Sequence, residues 1–250
     1  MRTTDFDSAV HEESFLISSF DADFNGNAKL TSICNYLQEI AGKHVDLIHQ
    51  GLNDLQVKNM AWVLSRLKVH IYEYPKWKDK ITIQTWPTGT NGLFGNRDFK
   101  IKNESGKTIA IATSAWIIIQ MDNKRPVRPN HFADKMTVYN ETLVFSNPLQ
   151  KLKIENNFEF NEKIKIHYSD IDINQHVNNV KYIKWVMDAC PIKKLNKDQI
   201  SELQINFLHE SKLTDELIIF GNKTECEPHQ FVIKNRKTGI EHCHAIIKWT

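Results

Sequence analysis

Apolar residues at helical spacing occur in two segments of the chain. In the first segment they are Leu30, Ile33, Leu37, Ile40 and Ala41. In the second segment they are Val180, Ile183, Met187 and Cys190. Steps of three and four residues place side chains on one face of a helix. The pattern therefore predicts two helices, each with one buried face.

The rest of the chain is rich in β-branched and aromatic runs that are separated by Gly, Pro, Asn and Asp, which is typical of strands joined by turns. In the first half, the predicted strands lie near residues 61–72, 80–86, 96–102 and 107–120. In the second half, they lie near residues 163–167, 204–209, 216–221, 230–235 and 240–249. One helix against a mostly antiparallel sheet in each half is an α+β arrangement.

The two halves are copies of one pattern. Asp21, Asp23 and Asn25 recur 149 residues later as Asp170, Asp172 and Asn174, in both cases just before a predicted helix. Downstream, WKDKITI resembles LTDELII, and FKIKNESGKT resembles FVIKNRKTG. Matching blocks in the same order predict two domains of one fold. We expect the domains over residues 1–130 and 161–250, with a linker over residues 131–160.

Composition narrows the class of protein. The net charge is +2, from 32 basic and 30 acidic residues, which does not favour a nucleic-acid partner. No apolar run approaches the roughly 20 residues of a membrane span, and the first residues lack the features of a signal peptide. Four scattered cysteines are no disulfide scaffold. These features predict a soluble cytoplasmic protein.

The segment DIDINQHVNN carries the candidate chemistry. Asp172, Asn174 and His176 alternate just before a helix that is predicted to begin near Asn178, and alternate residues of an extended chain point to one side. The free N–H groups of the helix start would face the same region and polarise a carbonyl, while the histidine handles a proton. The alternative is a helix cap with a polar turn, which Asp and Asn favour in any protein. The spacing leaves both interpretations open.

The duplication separates these residues into two classes. The first copy keeps the acidic and amide residues but has Asn27 where the second copy has His176. The shared residues can therefore be architectural, whereas the histidine belongs to one copy. We expect the chemistry in the second half and a substrate-holding role for the first.

The segment DIDINQHVNNVKYIKWVMD resembles the signature of the acyl-acyl carrier protein (acyl-ACP) thioesterases. In the first half, AWVLSRLKVHIYEYPKWKDKITIQTWPTG, GNRDFKIKN and ATSAWIIIQMDNKRPVRP are also similar to that family, so the resemblance runs from about Phe15 to Trp249. It implies two tandem hot-dog domains, each a long central helix wrapped by a mostly antiparallel sheet. It also implies hydrolysis of fatty acyl-ACP to free fatty acid and carrier, with the acyl chain bound in the first half and no cofactor.

The resemblance assigns the site residue by residue. The catalytic Asp, Asn and His of the family fall on Asp172, Asn174 and His176, and the Glu of its R-E-C stretch falls on Glu210 in His209-Glu210-Ser211. The implied mechanism is attack by water, which Glu210 and His176 activate; either can be the first proton acceptor. Asp172 would orient its neighbours, and Asn174 with the helix N-terminus would polarise the thioester carbonyl.

The cysteine of that stretch is Ser211 in this chain, which disfavours a thiol nucleophile. A serine nucleophile needs a base within hydrogen-bond reach, and on an extended strand Ser211 would point away from Glu210. Other enzymes of the fold remain as alternatives, namely an acyl-CoA thioesterase or a hydroxyacyl-thioester dehydratase. A fatty-acyl sensor without catalysis is the remaining alternative. The sequence leaves open whether the chain forms a homodimer.

Two further clusters have simpler interpretations. A set of lysines follows the motif and is either a solvated face or a dock for an acidic carrier protein; its members are Lys181, Lys184, Lys193, Lys194 and Lys197. Cys226 and His229, followed by His242 and Cys243, have a zinc-like spacing. A two-residue turn at Thr238 and Gly239 would pair His242 with Asn235 and hold it roughly 20 Å from His229. We therefore expect no metal site.

Overall fold

The computed structural model describes residues 9–129, 143–155, 157–222 and 228–250. The chain divides into two compact units. Residues 1–65 and 71–149 form the first unit, and residues 66–70 and 150–250 form the second. Part of the predicted linker, and Cys226 of the zinc-like cluster, lie outside the described residues.

The first unit is a sheet with one long helix. Its elements are β1 (His11–Leu16), α1 (Leu30–Leu47), α2 (Leu52–Gln56), β2 (Met60–Ile71), β3 (Lys80–Asn91), β4 (Phe94–Lys102), β5 (Thr108–Gln120) and β6 (Pro126–Val127). The strands follow the order β1-β3-β4-β5-β2, with β6 on β5. The pairs β1–β3, β3–β4 and β4–β5 are antiparallel.

Helix α1, which carries the first predicted apolar face, contacts β1 and β3. All five residues of that face are buried, which confirms the prediction: Leu30, Ile33, Leu37, Ile40 and Ala41. Burial of such side chains is the main force that holds an amphipathic helix on a sheet.

The second unit repeats this plan with a shorter helix. Its elements are β7 (Phe160–Lys165), α3 (Asn179–Asp188), α4 (Ile192–Lys197), β8 (Ile200–Phe207), β9 (Glu216–Gly221), β10 (His229–Asn235) and β11 (Glu241–Trp249). The strands follow the order β8-β11-β10-β9-β7, and residues 66–70, the part of β2 that belongs to the second unit, pair with β8. Val180 and Ile183 are buried as predicted. Met187 is only half-buried, and Cys190 is buried but lies beyond the end of α3.

The register of the final hairpin differs from the prediction by one residue before a bulge and by two residues between the bulge and the turn. Ile233 pairs with Cys243 and Lys234 with Glu241, so His242 falls in a bulge and does not face Asn235. The turn is longer than two residues because the Asn235 side-chain oxygen accepts the N–H groups of residues 237 and 238, at 3.0 and 3.1 Å. A bulge re-aims a side chain, and this one sends His242 into the network described below.

The α+β class is confirmed. The predicted strands differ from the observed ones mainly at their ends, but β1 and β6 match none of the predicted ranges. The prediction for residues 216–221 coincides with β9, whereas the strand predicted over residues 80–86 continues to Asn91. Within the described ranges, no helix is long and apolar enough to cross a membrane.

Candidate active site

The segment from Asp172 to His176 is a tight turn. Asp172 Oδ1 accepts the Asn174 N–H at 2.8 Å, and Asp172 O accepts the Gln175 N–H at 3.0 Å. The Asp172 N–H in turn donates to His176 O at 2.9 Å. The expectation of an extended chain with three side chains on one side was therefore wrong, because the Asp side chain closes a turn on its own backbone.

The first copy builds the same turn. Asp23 Oδ1 accepts the Asn25 N–H at 2.8 Å, and Asp23 O accepts the Gly26 N–H at 3.0 Å. Gly26 has φ 78°, and Gln175 holds the corresponding left-handed conformation with φ 63°. A left-handed residue other than Gly costs about 1–2 kcal/mol, so the second copy holds Gln175 under local strain. The bond from the shared Asp to the amide two residues later is common to both copies and is therefore architectural.

The turn delivers His176 to Glu210. His176 Nε2 lies 3.1 Å from Glu210 Oε2, with the two side chains 19% and 37% exposed. Glu210 comes three residues after β8 ends at Phe207. The Val177 N–H donates to Ser211 O at 2.9 Å, so the residues next to the pair tie the two segments together. The structure thus joins a partly exposed imidazole to a partly exposed carboxylate.

Helix α3 begins at Asn179, three residues after His176. Asn178 caps it, since its Oδ1 accepts the Val180 N–H at 2.8 Å and its backbone O accepts the Lys181 N–H at 2.9 Å. In the described part of the chain, the Asn179 N–H has no acceptor outside the helix, whereas the next two amides are already bonded to Asn178. The Asn174 side chain is exposed, and it makes no hydrogen bond with the described residues.

Ser211 is fully buried, unlike its neighbour Glu210. Its Oγ accepts a hydrogen bond from the Tyr182 hydroxyl at 2.7 Å and lies 2.8 Å from His242 Nδ1. The sequence did not reveal this histidine partner, because His242 comes from β11 and the predicted hairpin register was wrong. Ser211 therefore lies beside an imidazole N–H, since the same Nδ1 faces the His209 carbonyl, and it has no exposure to a substrate.

Burial sets the protonation of this network. It raises the pKa of Tyr182, so the phenol stays protonated and donates. It lowers the pKa of His242, which keeps the imidazole neutral, although hydrogen bonds to the backbone of His209 and Glu210 oppose that shift. His242 Nδ1 lies 3.1 Å from His209 O.

The first copy lacks both members of the His–Glu pair. The Ala28 N–H donates to Pro75 O at 2.8 Å, which matches the bond from Val177 to Ser211. Tyr74 therefore occupies the place of Glu210, as Asn27 occupies that of His176. Sequence comparison found Asn27 but missed Tyr74, although the 136-residue offset from Asp79 to Asp215 leads to it. Burial raises the pKa of Tyr74 and keeps its phenol neutral.

Three lysines of the cluster after the motif have acidic partners. Lys181 lies 3.3 Å from Asp170 Oδ1, Lys194 lies 3.1 Å from Asp198 Oδ2, and Lys184 pairs with Asp188. Lys193 and Lys197 are exposed and have no acidic partner among the described residues. The unpaired charge of this face is therefore smaller than the sequence indicated.

The two histidines of the zinc-like cluster form hydrogen bonds with other side chains. His229 Nδ1 accepts the Trp249 indole N–H at 2.9 Å, and His242 belongs to the Ser211 network. Over the residues described, no three His, Cys, Asp or Glu side chains are grouped so that they could hold a metal ion.

Two family models match almost all of the chain. The acyl-ACP thioesterase N-terminal domain matches residues 8–134, and the acyl-ACP thioesterase C-terminal domain matches residues 153–250. The chain belongs to the acyl-ACP thioesterase family. The predicted resemblance is thereby confirmed, and the second match contains the turn, Glu210 and helix α3.

Relatives and solved structures agree with the family. Oleoyl-acyl carrier protein thioesterase 2 of Arabidopsis thaliana is 29% identical over 91% of this chain and 66% of its own length. A palmitoyl-acyl carrier protein thioesterase of Gossypium hirsutum is 30% identical over 82% of this chain. The chain spans only 52% of that cotton protein.

An acyl-ACP thioesterase from Bacteroides thetaiotaomicron superposes with a TM-score of 0.87 at 27% identity, covering 96% of this chain and 98% of that one. The 12:0-ACP thioesterase from Umbellularia californica, at 19% identity and a TM-score of 0.86, covers 96% of this chain and 97% of its own and shares the fold. These matches confirm the fold that the resemblance implied.

Proposed function

We propose that this chain hydrolyses the thioester of fatty acyl-ACP and releases free fatty acid and carrier protein. The observation that carries the proposal is the 3.1 Å contact between His176 and Glu210 in a chain of this family. An imidazole beside a carboxylate can take a proton from water and later return it. The site lies within the second unit, since both residues belong to it.

The reaction we propose needs no covalent intermediate. Water attacks the thioester carbonyl carbon while the Glu210 and His176 pair takes its proton. The carbonyl oxygen accepts hydrogen bonds from the Asn179 N–H and the Asn174 side-chain amide as negative charge develops on it. The carbon–sulfur bond then breaks, and the thiolate takes a proton from the pair. Loss of one such donor typically costs about 100- to 1,000-fold in rate.

In this scheme Asp172 is a positioning residue. Its carboxylate accepts the Asn174 N–H at 2.8 Å, and the turn that this bond closes sets the position of His176. The equivalent bond of Asp23 in the first copy supports that role. We therefore assign Asp172 to the geometry of the site and Asn174, His176 and Glu210 to the chemistry.

We further propose that the first unit holds the acyl chain without catalysing a reaction. The supporting observation is that Asn27 and Tyr74 stand where the second unit has its histidine and glutamate. Neither an amide nor a neutral phenol takes a proton from water near neutral pH. A duplicated fold with one acid–base pair has one catalytic site.

Hydrolysis of an acyl-ACP panel from C8 to C18, with the matching acyl-CoA esters in parallel, tests the proposal. Release of fatty acid from acyl-ACP at a higher kcat/KM than from acyl-CoA supports it. Preference for acyl-CoA would identify an acyl-CoA thioesterase. Hydration of a crotonyl thioester without hydrolysis would identify a dehydratase, and binding without turnover would identify a sensor.

A further inference from the structure

A buried polar network lies behind the His176–Glu210 pair. The Tyr182 hydroxyl donates to Ser211 Oγ at 2.7 Å, and His242 Nδ1 lies 2.8 Å from the same oxygen. Tyr182 is 2%, Ser211 0% and His242 5% exposed. The three side chains come from α3, the segment after β8, and β11, so the network joins three separate elements.

The first copy shows that the fold does not need this network. Ile109 O accepts the N–H groups of Tyr72 and Glu73 at 2.8 and 3.1 Å. In the second copy, His242 O accepts those of Leu208 and His209 at 2.8 and 3.4 Å. These matching bonds place Ile109 at the position of His242.

The other two positions are also apolar in the first copy. Pro75 stands at the position of Ser211, because Ala28 and Val177 make matching bonds to them. Ile33 stands at the position of Tyr182 by the 149-residue offset. The first copy therefore packs Ile33, Pro75 and Ile109 where the second buries three polar side chains.

Burial of polar groups is costly unless they are hydrogen-bonded, and an apolar core fills the same space without that cost. The three buried polar residues occur in the second copy, which is also the copy that contains His176 and Glu210. The network therefore accompanies the catalytic pair and is not a requirement of the fold.

We propose that Tyr182, Ser211 and His242 are positioning residues that hold Glu210 against His176. Two contacts transmit their effect. On one side of Glu210, the carbonyl oxygen of Ser211 accepts the Val177 N–H at 2.9 Å, next to His176. On the other side, His242 Nδ1 donates to His209 O at 3.1 Å. Glu210 is thus fixed from both flanks.

The inference rests on the proposed hydrolysis, and it is tested with Tyr182→Phe, Ser211→Ala and the double variant. Each single variant removes one hydroxyl and keeps the apolar volume. We expect kcat for acyl-ACP to fall about 10- to 100-fold in each, because a catalytic group misplaced by about 1 Å can cost 100-fold. KM should change less than twofold. The double variant should resemble the single variants, since both break one network.

Matched controls and a second readout separate positioning from stability. Tyr168→Phe and Ser201→Ala remove the same atoms elsewhere in the second unit and should keep kcat within twofold; Tyr168 is 88% exposed, and Ser201 Oγ donates to Lys248 O. Ser211→Cys, which restores an acceptor for Tyr182, should recover most of the activity. Amide exchange at Val177 in the folded protein should accelerate in Tyr182→Phe and Ser211→Ala.

Unchanged kcat in the folded network variants, or kcat that falls only in proportion to the folded fraction, would overturn the inference. Unchanged exchange at Val177 would overturn it as well, and this readout needs no substrate. If the unaltered chain fails to hydrolyse acyl-ACP, the proposed function fails, whereas the exchange measurement still decides whether the network holds Val177.

Discussion

His176 Nε2 and Glu210 Oε2 lie 3.1 Å apart, although the two residues come from separate segments of the second unit. The bond from the Val177 N–H to Ser211 O fixes this approach, because each partner of that bond is the chain neighbour of one member of the pair. The relationship is local to one copy of the duplicated fold, and the predictions below depend on that asymmetry.

The two copies should be unequal in catalysis. We expect His176→Ala to lower kcat for acyl-ACP by about 100- to 10,000-fold, as loss of a general acid–base group does. Asn27→Ala changes the equivalent position of the first copy and should keep most of the activity. Steady-state kinetics of both variants, with circular dichroism to confirm folding, measures this. Equal losses in two folded variants would contradict a single site.

Water, and no side chain, should be the nucleophile. Ser211 is 0% exposed, so it is closed to a substrate even with His242 at 2.8 Å. Burial raises the pKa of Cys34 and of Cys190 to about 12, and raises that of Cys243 as well, which keeps these thiols protonated and unreactive. Intact mass spectrometry after rapid quench should show no acyl-enzyme during turnover. A trapped acyl adduct on any residue would contradict direct hydrolysis.

Local pattern predicted much of this fold. The apolar face of α1 and the start of α3 after Asn178 agree with the sequence, because helical spacing and an Asn cap are local signals. The duplicated Asp residues correctly indicated equivalent turns before both helices. The geometry of the turn did not follow from alternation, since the Asp172 side chain bends the chain through its own hydrogen bond.

The sequence did not predict the contacts between segments that are far apart in the chain. The bulge at Ile233 and Lys234 shifts His242 out of the strand pairing, and no local signal marks it. The link from Tyr182 through Ser211 to His242 depends on that shift and on three elements meeting. The family resemblance, by contrast, assigned Glu210 without any geometry, and the structure places this residue beside His176.

Carrier docking should depend on the two lysines without acidic partners. We expect Lys193→Ala with Lys197→Ala to raise KM for acyl-ACP severalfold and to leave a short acyl-CoA unaffected, since rim charges act on encounter with a charged partner. Lys107→Ala is a control, because Lys107 is paired with Glu73 at 2.6 Å in the first unit. The KM increase should vanish at high salt. Unchanged KM at low salt would place the dock elsewhere.

Stability should fall as the pH drops below about 6.5, the usual pKa of a histidine. Burial lowers the pKa of His242 and of His11, so below that pH the unfolded chain binds protons that the folded chain does not. Each such group contributes a slope of at most about 1.4 kcal/mol per pH unit. Urea unfolding measured from pH 7 to pH 5 should show that the free energy of unfolding of His242→Gln changes less with pH than that of the unaltered chain. An identical slope would show that His242 titrates alike in both states.

The central claim is that Glu210 with His176 activates water against an acyl-ACP thioester, and the most direct test is fatty-acid release by Glu210→Gln. This variant keeps the size of the side chain and removes its proton affinity. The account predicts that kcat falls about 100- to 10,000-fold, as for a lost general base, while the thermal midpoint stays close to that of the unaltered chain. Tyr74→Phe, at the equivalent position of the first copy, should keep most of the activity. Release of fatty acid by Glu210→Gln at the unaltered rate would contradict the account.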